Sequence, residues 1–168
     1  MTRFDLRAAT AADVPVILQC VRGLAEYERL AHECVATEAL LQESLFGVDP
    51  VAEVTLAIAQ DGTPAGFALW FRSYSTFLAR PGIYLEDLFV FPEHRGQGLG
   101  RRLLASLAAT ATSRGYGRLD WTVLDWNSDA LQFYESLGAR HLADWSHYRL
   151  SGDALSRLGG RPLRVERE

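Results

Sequence analysis

A mixed α/β fold, one layered sheet flanked by helices, is predicted by three features of the sequence. Segments with apolar residues at helical spacing alternate with short β-branched and aromatic runs. A hairpin turn joins two of those runs, and a later run passes through a glycine-rich turn into a helix. The 168 residues, 48% hydrophobic and 23% charged, suffice for a full core without metal or disulfide staples, because chains of this size bury roughly two thirds of their unfolded surface. No repeat, low-complexity tract or linker interrupts them. Residues 1–168 are therefore expected to form a single domain, with about 159–168 as a flexible tail.

Phe4 and Leu6 alternate with charged residues as a short first strand. Thr10 or Asp13 then offers an N-cap, Pro15 fits a first helical turn, and Val14, Ile17, Leu18, Val21, Leu24 and Ala25 follow on one helical face. Residues 37–46 predict a shorter helix closed by Gly47. Residues 54–60 and 65–74 flank Asp61-Gly62-Thr63-Pro64, which has the turn chemistry of an antiparallel hairpin. A loop over 75–82 leads to a central strand at 83–91 that Pro92 stops. The glycine-rich turn and a helix with Leu99, Leu103, Leu104, Leu107, Ala108 and Ala111 on its inner face come next. A strand at 119–124, a helix capped by Asn127 or Ser128 and ended near Gly138, and a closing strand at 148–150 complete the prediction.

Charge and composition narrow the function. The net charge is -4, there is no basic block, and all 17 basic residues are arginines, so nucleic acid is not the expected partner and the lysine of a P-loop is missing. A small cationic ligand suits the sign better. No apolar run approaches the ~18 residues that span a bilayer, and Met1 to Arg7 lack an uncharged signal-like core, so a cytoplasmic protein without a membrane partner is expected. Cys20 and Cys34 form no C-x-x-C pair, and His32, His94, His141 and His147 show no metal-ligand spacing, so no metal is expected.

Three places could carry chemistry. In Arg95-Gly96-Gln97-Gly98-Leu99-Gly100 a strand runs into a turn that opens a helix, where backbone N–H groups and the helix dipole favour an anion and glycine lets it approach. The dinucleotide fingerprint G-x-G-x-x-G fails, because Arg101 stands at its third glycine. Glu86 and Asp87 interrupt an apolar strand; adjacent strand residues face opposite sides, so one carboxylate points inward unless a bulge intervenes. That carboxylate is either a base with a raised pKa or one satisfied by Arg72, Arg80 or backbone N–H groups. Tyr134, on the helix after Asp125-Trp126-Asn127, is either a core tyrosine or a proton donor to a thiolate.

The Arg95 to Gly100 segment fits the R/Q-x-x-G-x-G/A signature of the GCN5-related N-acetyltransferases (GNAT). Tyr84-Leu85-Glu86-Asp87-Leu88-Phe89-Val90, Leu124-Asp125-Trp126-Asn127 and Phe133-Tyr134-Glu135-Ser136-Leu137-Gly138-Ala139 resemble their diamine (spermidine/spermine) and thialysine branch, and the likeness runs from Arg7 to Leu150. The resemblance implies a GNAT-type acyl-CoA N-acyltransferase fold with a central, mostly antiparallel, twisted sheet. It implies acetyl-CoA as co-substrate, in a V-shaped opening between residues 85–91 and 119–124. The backbone of Leu88, Phe89 and Val90 would pair with the pantetheine. Gly96, Gln97, Gly98, Leu99, Gly100 and Arg101, with Arg95 nearby, would hold the pyrophosphate, and Asn127 the pantetheine arm.

Tyr134 matches the family's general acid, which protonates the departing thiolate and also lies at the cofactor. Glu86 matches the acid that removes a proton from the ammonium substrate, through water. Tyr27 and Glu28 match the branch's amine-binding pair, and Asp87 adds charge to the same cleft. The loop at 78–82 lacks the acidic and tryptophan residues of polyamine-specific relatives, and residues 123–127 read closer to the thialysine type. The implied activity is acetylation of a primary amine on a small alkyl amine, a diamine, polyamine or lysine analogue, by a homodimer. Acetylation of a peptide or protein, or a non-catalytic acyl-CoA-binding module, stands as the alternative.

Overall fold

In the computed structural model, residues 4–160 are described, and the chain divides into two compact units, Met1–Thr122 and Val123–Glu168. The first unit is a five-stranded sheet in the order β1-β2-β3-β4-β5, with β1 Phe4–Ala8, β2 Glu53–Ala59, β3 Pro64–Ser75, β4 Arg80–Val90 and β5 Leu119–Trp121. Four strands meander antiparallel and β5 lies parallel to β4. The β2–β3 turn forms as expected: the Asp61 carboxylate accepts from the Thr63 backbone N–H at 3.0 Å and its hydroxyl at 2.6 Å, and Gly62 takes φ +87. The 75–82 segment is not a long loop. Both strands run on into a tight hairpin, with Ser75 paired to Arg80.

Helix α1 (Val14–Tyr27) starts where the sequence expects. Thr10 and Asp13 make a reciprocal capping box, and Arg7 closes on the Asp13 carboxylate at 2.7 and 2.8 Å. Its Ile17 and Cys20 pack with Leu45 of α2 (Glu38–Phe46), Val54 and Leu56 of β2, Phe67 of β3 and Phe89 of β4. Helix α3 (Leu99–Ser113) covers the opposite face: its Arg102 donates to the Phe4 carbonyl at 2.7 Å, and Arg114, just past its end, lies over the Trp70 ring. Leu99, Leu103, Leu104, Leu107 and Ala111 are its buried stripe, as the periodicity predicts.

The second unit holds α4 (Ser128–Ser136) and α5 (Gly152–Gly159). Two expectations fail here. Residues 148–150 form no strand; they are exposed, and a strand needs a ladder partner, which their own unit does not supply. They lead instead into α5, whose signals are an N-cap Ser151, Asp153 in the first turn and Arg157 in the last. The strand expected over 119–124 stops at Trp121. Its last pair is Leu85 with Trp121, and the next residue of β4 lies in a bulge that breaks the ladder. Of the tail expected at 159–168, residues 161–168 lie outside the described residues.

Candidate functional site

The bulge is the feature that arranges the site in the first unit. Asp87 pairs with Leu69 and Leu85 with Trp70, so Glu86 is an extra residue on β4 with no partner on β3. Cross-strand partners face the same side of a sheet. Leu85 therefore shares the α3 face with Trp70, whereas Asp87 and Phe89 share the α1 face with Leu69 and Phe67. Glu86 is exposed and Asp87 partly buried. Glu28 caps the C-terminal end of α1 and is partly buried as well. Burial first, then the charges of Glu86 and Glu28, push the Asp87 carboxyl up to about 6, and burial raises that of Glu28. Neither Arg72 nor Arg80 pairs with Glu86 or Asp87, so the charge is not neutralised among the described residues.

Past this acidic group the edge of β4 that faces β5 is left unladdered from Glu86 onward, because β5 has ended. Leu88, Phe89 and Val90, the expected pantetheine partners, lie on this stretch. Gly96 (φ +71) and Gly98 (φ +76) follow in left-handed conformations, and a Cβ built at either would meet nothing within 4 Å. Gly98 is the N-cap of α3, whose ladder begins with the Arg102 N–H on the Gly98 carbonyl; the amides of Leu99, Gly100 and Arg101 precede that ladder. Gln97 folds back to the Glu93 carbonyl at 3.2 Å. The expected anion cradle thus has open space on its glycines and the positive end of a 15-residue helix behind it.

Arg95 does something the sequence did not announce. Its Nε donates to the Val90 carbonyl at 2.9 Å, and its guanidinium lies 4.8 Å from the Tyr27 ring centre and 5.7 Å from that of Phe89. It links the end of α1 to the end of β4. The two elements approach closely because of Gly23, where a Cβ would come within 2.7 Å of the Phe89 ring. A cleft of about 530 Å³ opens here, lined in part by Arg22, Gly23, Tyr27, Phe89, Phe91 and Arg95. Gly23, one turn before Tyr27 on the same helix, was the available signal for this contact. A second groove of about 840 Å³, between β2, β3 and α3, carries none of the candidate residues.

The first unit thus brings Tyr27, Glu28, Glu86, Asp87, Phe89 and Arg95 onto the α1 end of β4. In the second unit Asn127 is the N-cap of α4, its side chain accepting from the Ala130 N–H at 3.3 Å. Tyr134 lies on the same helix, its ring 5.3 Å from that of Phe133. Among the described residues no group of three His, Cys, Asp or Glu is placed to hold a metal, and no helix is long and apolar enough to cross a membrane.

Residues 23–139 match the acetyltransferase (GNAT) family model, a stretch that takes in the acidic bulge, the glycine turn and Tyr134. A thialysine N-epsilon-acetyltransferase of Bos taurus is 38% identical over 93% of this chain and 97% of its own. An L-ornithine N5-acetyltransferase of Arabidopsis thaliana is 34% identical over 91% of this chain and 86% of its own. Among solved structures, an integron cassette protein from V. cholerae superposes with a TM-score of 0.80 at 26% identity, covering 94% of this chain and 98% of that one. With a family match over 23–139 and a relative 38% identical along nearly its whole length, this chain belongs to the acetyltransferase (GNAT) family.

Proposed function

We propose that this enzyme transfers the acetyl group of acetyl-CoA to a primary amine of a small alkyl amine, a diamine, a polyamine or a thialysine- or lysine-like compound, by direct attack in a ternary complex. The observation that carries the reading is the group of Glu28, Glu86 and Asp87, three carboxylates without an arginine partner among the described residues, at the α1 side of the strand that leads into the glycine turn. Uncompensated negative charge of this kind suits an ammonium group. The relatives named for thialysine and L-ornithine act on amines of that size by their names.

Acetyl-CoA brings the activated acyl group; the protein supplies orientation and proton traffic. Its pyrophosphate fits the turn at Gly96 and Gly98, where a side chain would otherwise intrude, and the amides of Leu99, Gly100 and Arg101 at the helix start. The unladdered backbone of Leu88, Phe89 and Val90 suits the pantetheine amides, with Asn127 at the arm, and the Leu88 N–H is the donor to the thioester carbonyl. Tyr27 and Glu28 receive the amine. An alkyl ammonium, with a pKa of ~10, has no lone pair, so a carboxylate must first take its proton; the family likeness gives that task to Glu86, through water. Tyr134 returns a proton to the departing thiolate. We further read residues 1–168 as one catalytic domain, in support of which the family match crosses both units, the protein as cytoplasmic, on the same sequence features that raised the expectation, and its assembly as a homodimer, on the family likeness alone.

The test is CoA thiol release from acetyl-CoA with putrescine, spermidine, spermine, thialysine, ornithine, lysine and a lysine-containing peptide. Turnover with one short alkyl amine is the expected result. Turnover with the peptide alone moves the assignment to a protein acetyltransferase, and acetyl-CoA binding without any turnover moves it to a non-catalytic module. On the accepted amine, Tyr134→Phe is expected to lower kcat at least tenfold with acetyl-CoA affinity unchanged; an undiminished kcat removes Tyr134 from the mechanism.

A further inference from the structure

A site built for ammonium groups alone needs only acids. The cleft of about 530 Å³ beside α1 carries both signs: of its charged lining residues, Arg22 and Arg95 are basic and Glu26 and Glu38 acidic. Arg95 is engaged already, with the Val90 carbonyl and the Tyr27 ring. Arg22 and Glu26 stand one turn apart on α1, a spacing at which opposite charges commonly pair. Yet among the described residues neither has an ion pair, and nor has Glu38. Gly23, between them, brings α1 down onto the Phe89 ring, so the two charges border a floor that is apolar.

The cleft continues from the acidic group and does not contain it. Glu28, Glu86 and Asp87 are not among its lining residues; Phe89, which is, shares the α1 face of β4 with Asp87. Helix α1 runs antiparallel alongside, since Gly23 meets Phe89 while Glu28 acts on Asp87. Along the helix axis Arg22 therefore stands about 9 Å from Glu28, at 1.5 Å per residue. An extended lysine-length chain advances ~1.25 Å per bond, so an amine held near Glu28 places its α-carbon ~6 Å on, and the carboxylate attached there comes within hydrogen-bonding reach of a flexible arginine.

We propose that Arg22 reads the carboxylate of the acceptor, so that the preferred substrate is an α-amino acid with a side-chain amine, its α-carboxylate on Arg22, its α-ammonium beside Glu26 and its reacting amine at the Glu28 end of the cleft. This subsite rests on the small-amine reading above and names the class within it. A guanidinium offers two parallel N–H donors to a carboxylate, and opposite charges one turn apart match the adjacent charges of an amino-acid head. A diamine leaves Arg22 without an anion, and a polyamine brings a further positive charge toward it.

Pairs that differ only by the carboxylate test this: lysine with cadaverine, ornithine with putrescine, and thialysine with bis(2-aminoethyl) sulfide. The wild type is expected to favour the amino acid of an accepted pair at least tenfold in kcat/KM, chiefly through KM. Arg22→Gln is expected to bring that ratio close to one, Arg22→Lys to keep part of it, and Arg22→Glu to reverse it. Arg22 is exposed, so the variants are expected to fold as the wild type does, with circular dichroism and acetyl-CoA affinity as the checks. A wild type that takes the diamines or spermidine as well as the amino acids, or a preference that survives Arg22→Gln, overturns the subsite and leaves the small-amine reading intact. A wild type that acetylates none of these amines overturns both.

Discussion

Asp87 links chemistry to stability at the level of a single side chain. Its carboxyl titrates near 6 in the folded protein and near ~3.9 in an unfolded chain, so between those values the folded state binds the extra proton. Stability from this group is therefore greatest below about pH 4, declines as the pH rises through 6, and is constant above. Asp87→Asn removes the decline. The variant is expected to match the wild type near pH 4 and exceed it by about 2 kcal/mol at pH 8, a value reduced from the full shift for partial solvent screening. Urea midpoints at the two pH values check this, and equal differences at both would show that Asp87 carries no unfavourable charge. That one of two adjacent acids faces inward was legible from their place in an apolar strand. Which one was not, because the bulge belongs to a pair of strands and not to either sequence segment. The same holds for the contacts of Arg95 with Val90, Tyr27 and Phe89, which the motif did not announce.

At the scale of elements, the start of α1 shows local signals and tertiary contacts agreeing. Thr10 and Asp13 satisfy each other's backbone, and Arg7 reaches from β1 to the same carboxylate. The hydrogen bonds from Arg7 hold the Asp13 carboxyl well below the usual carboxylate range, so this stabilisation is present above about pH 4 and is lost as the pH falls toward the folded value. Asp13→Asn is expected to cost about 1–2 kcal/mol at pH 7, with the gap to wild type closing in acid. A gap that stays constant with pH would mean that the capping geometry, rather than the charge, is what matters. Helices with a strong apolar stripe, α1 and α3, and the Asp61 hairpin were legible because their determinants lie within a few residues. The strand expected at 148–150 and the length expected of β5 were not, since a strand exists only where another strand pairs with it.

The first unit as a whole is built around Ile17, Cys20, Leu56, Phe67 and Phe89, which tie α1 to three strands. Burial pushes the Cys20 thiol up to about 12, whereas Cys34 is partly exposed. Iodoacetamide at pH 8 is expected to label Cys34 alone in the native protein and both thiols in urea, with Cys20 labelling at the rate of global opening. Native labelling of both at one rate would mean that α1 opens independently of the sheet.

The sequence by itself determined the mixed α/β class, the order of most elements, the glycine turn ahead of α3, the acidic pair in β4 and the Asn127 cap. Each is written in spacing along one segment, where period, propensity and capping act within a turn or two. Only the tertiary structure decided that Asp87 faces α1, that Arg95 braces β4 against Tyr27, and that β5 releases β4 at Leu85. These depend on strand register, and a slip of one residue in register reverses every side chain beyond it.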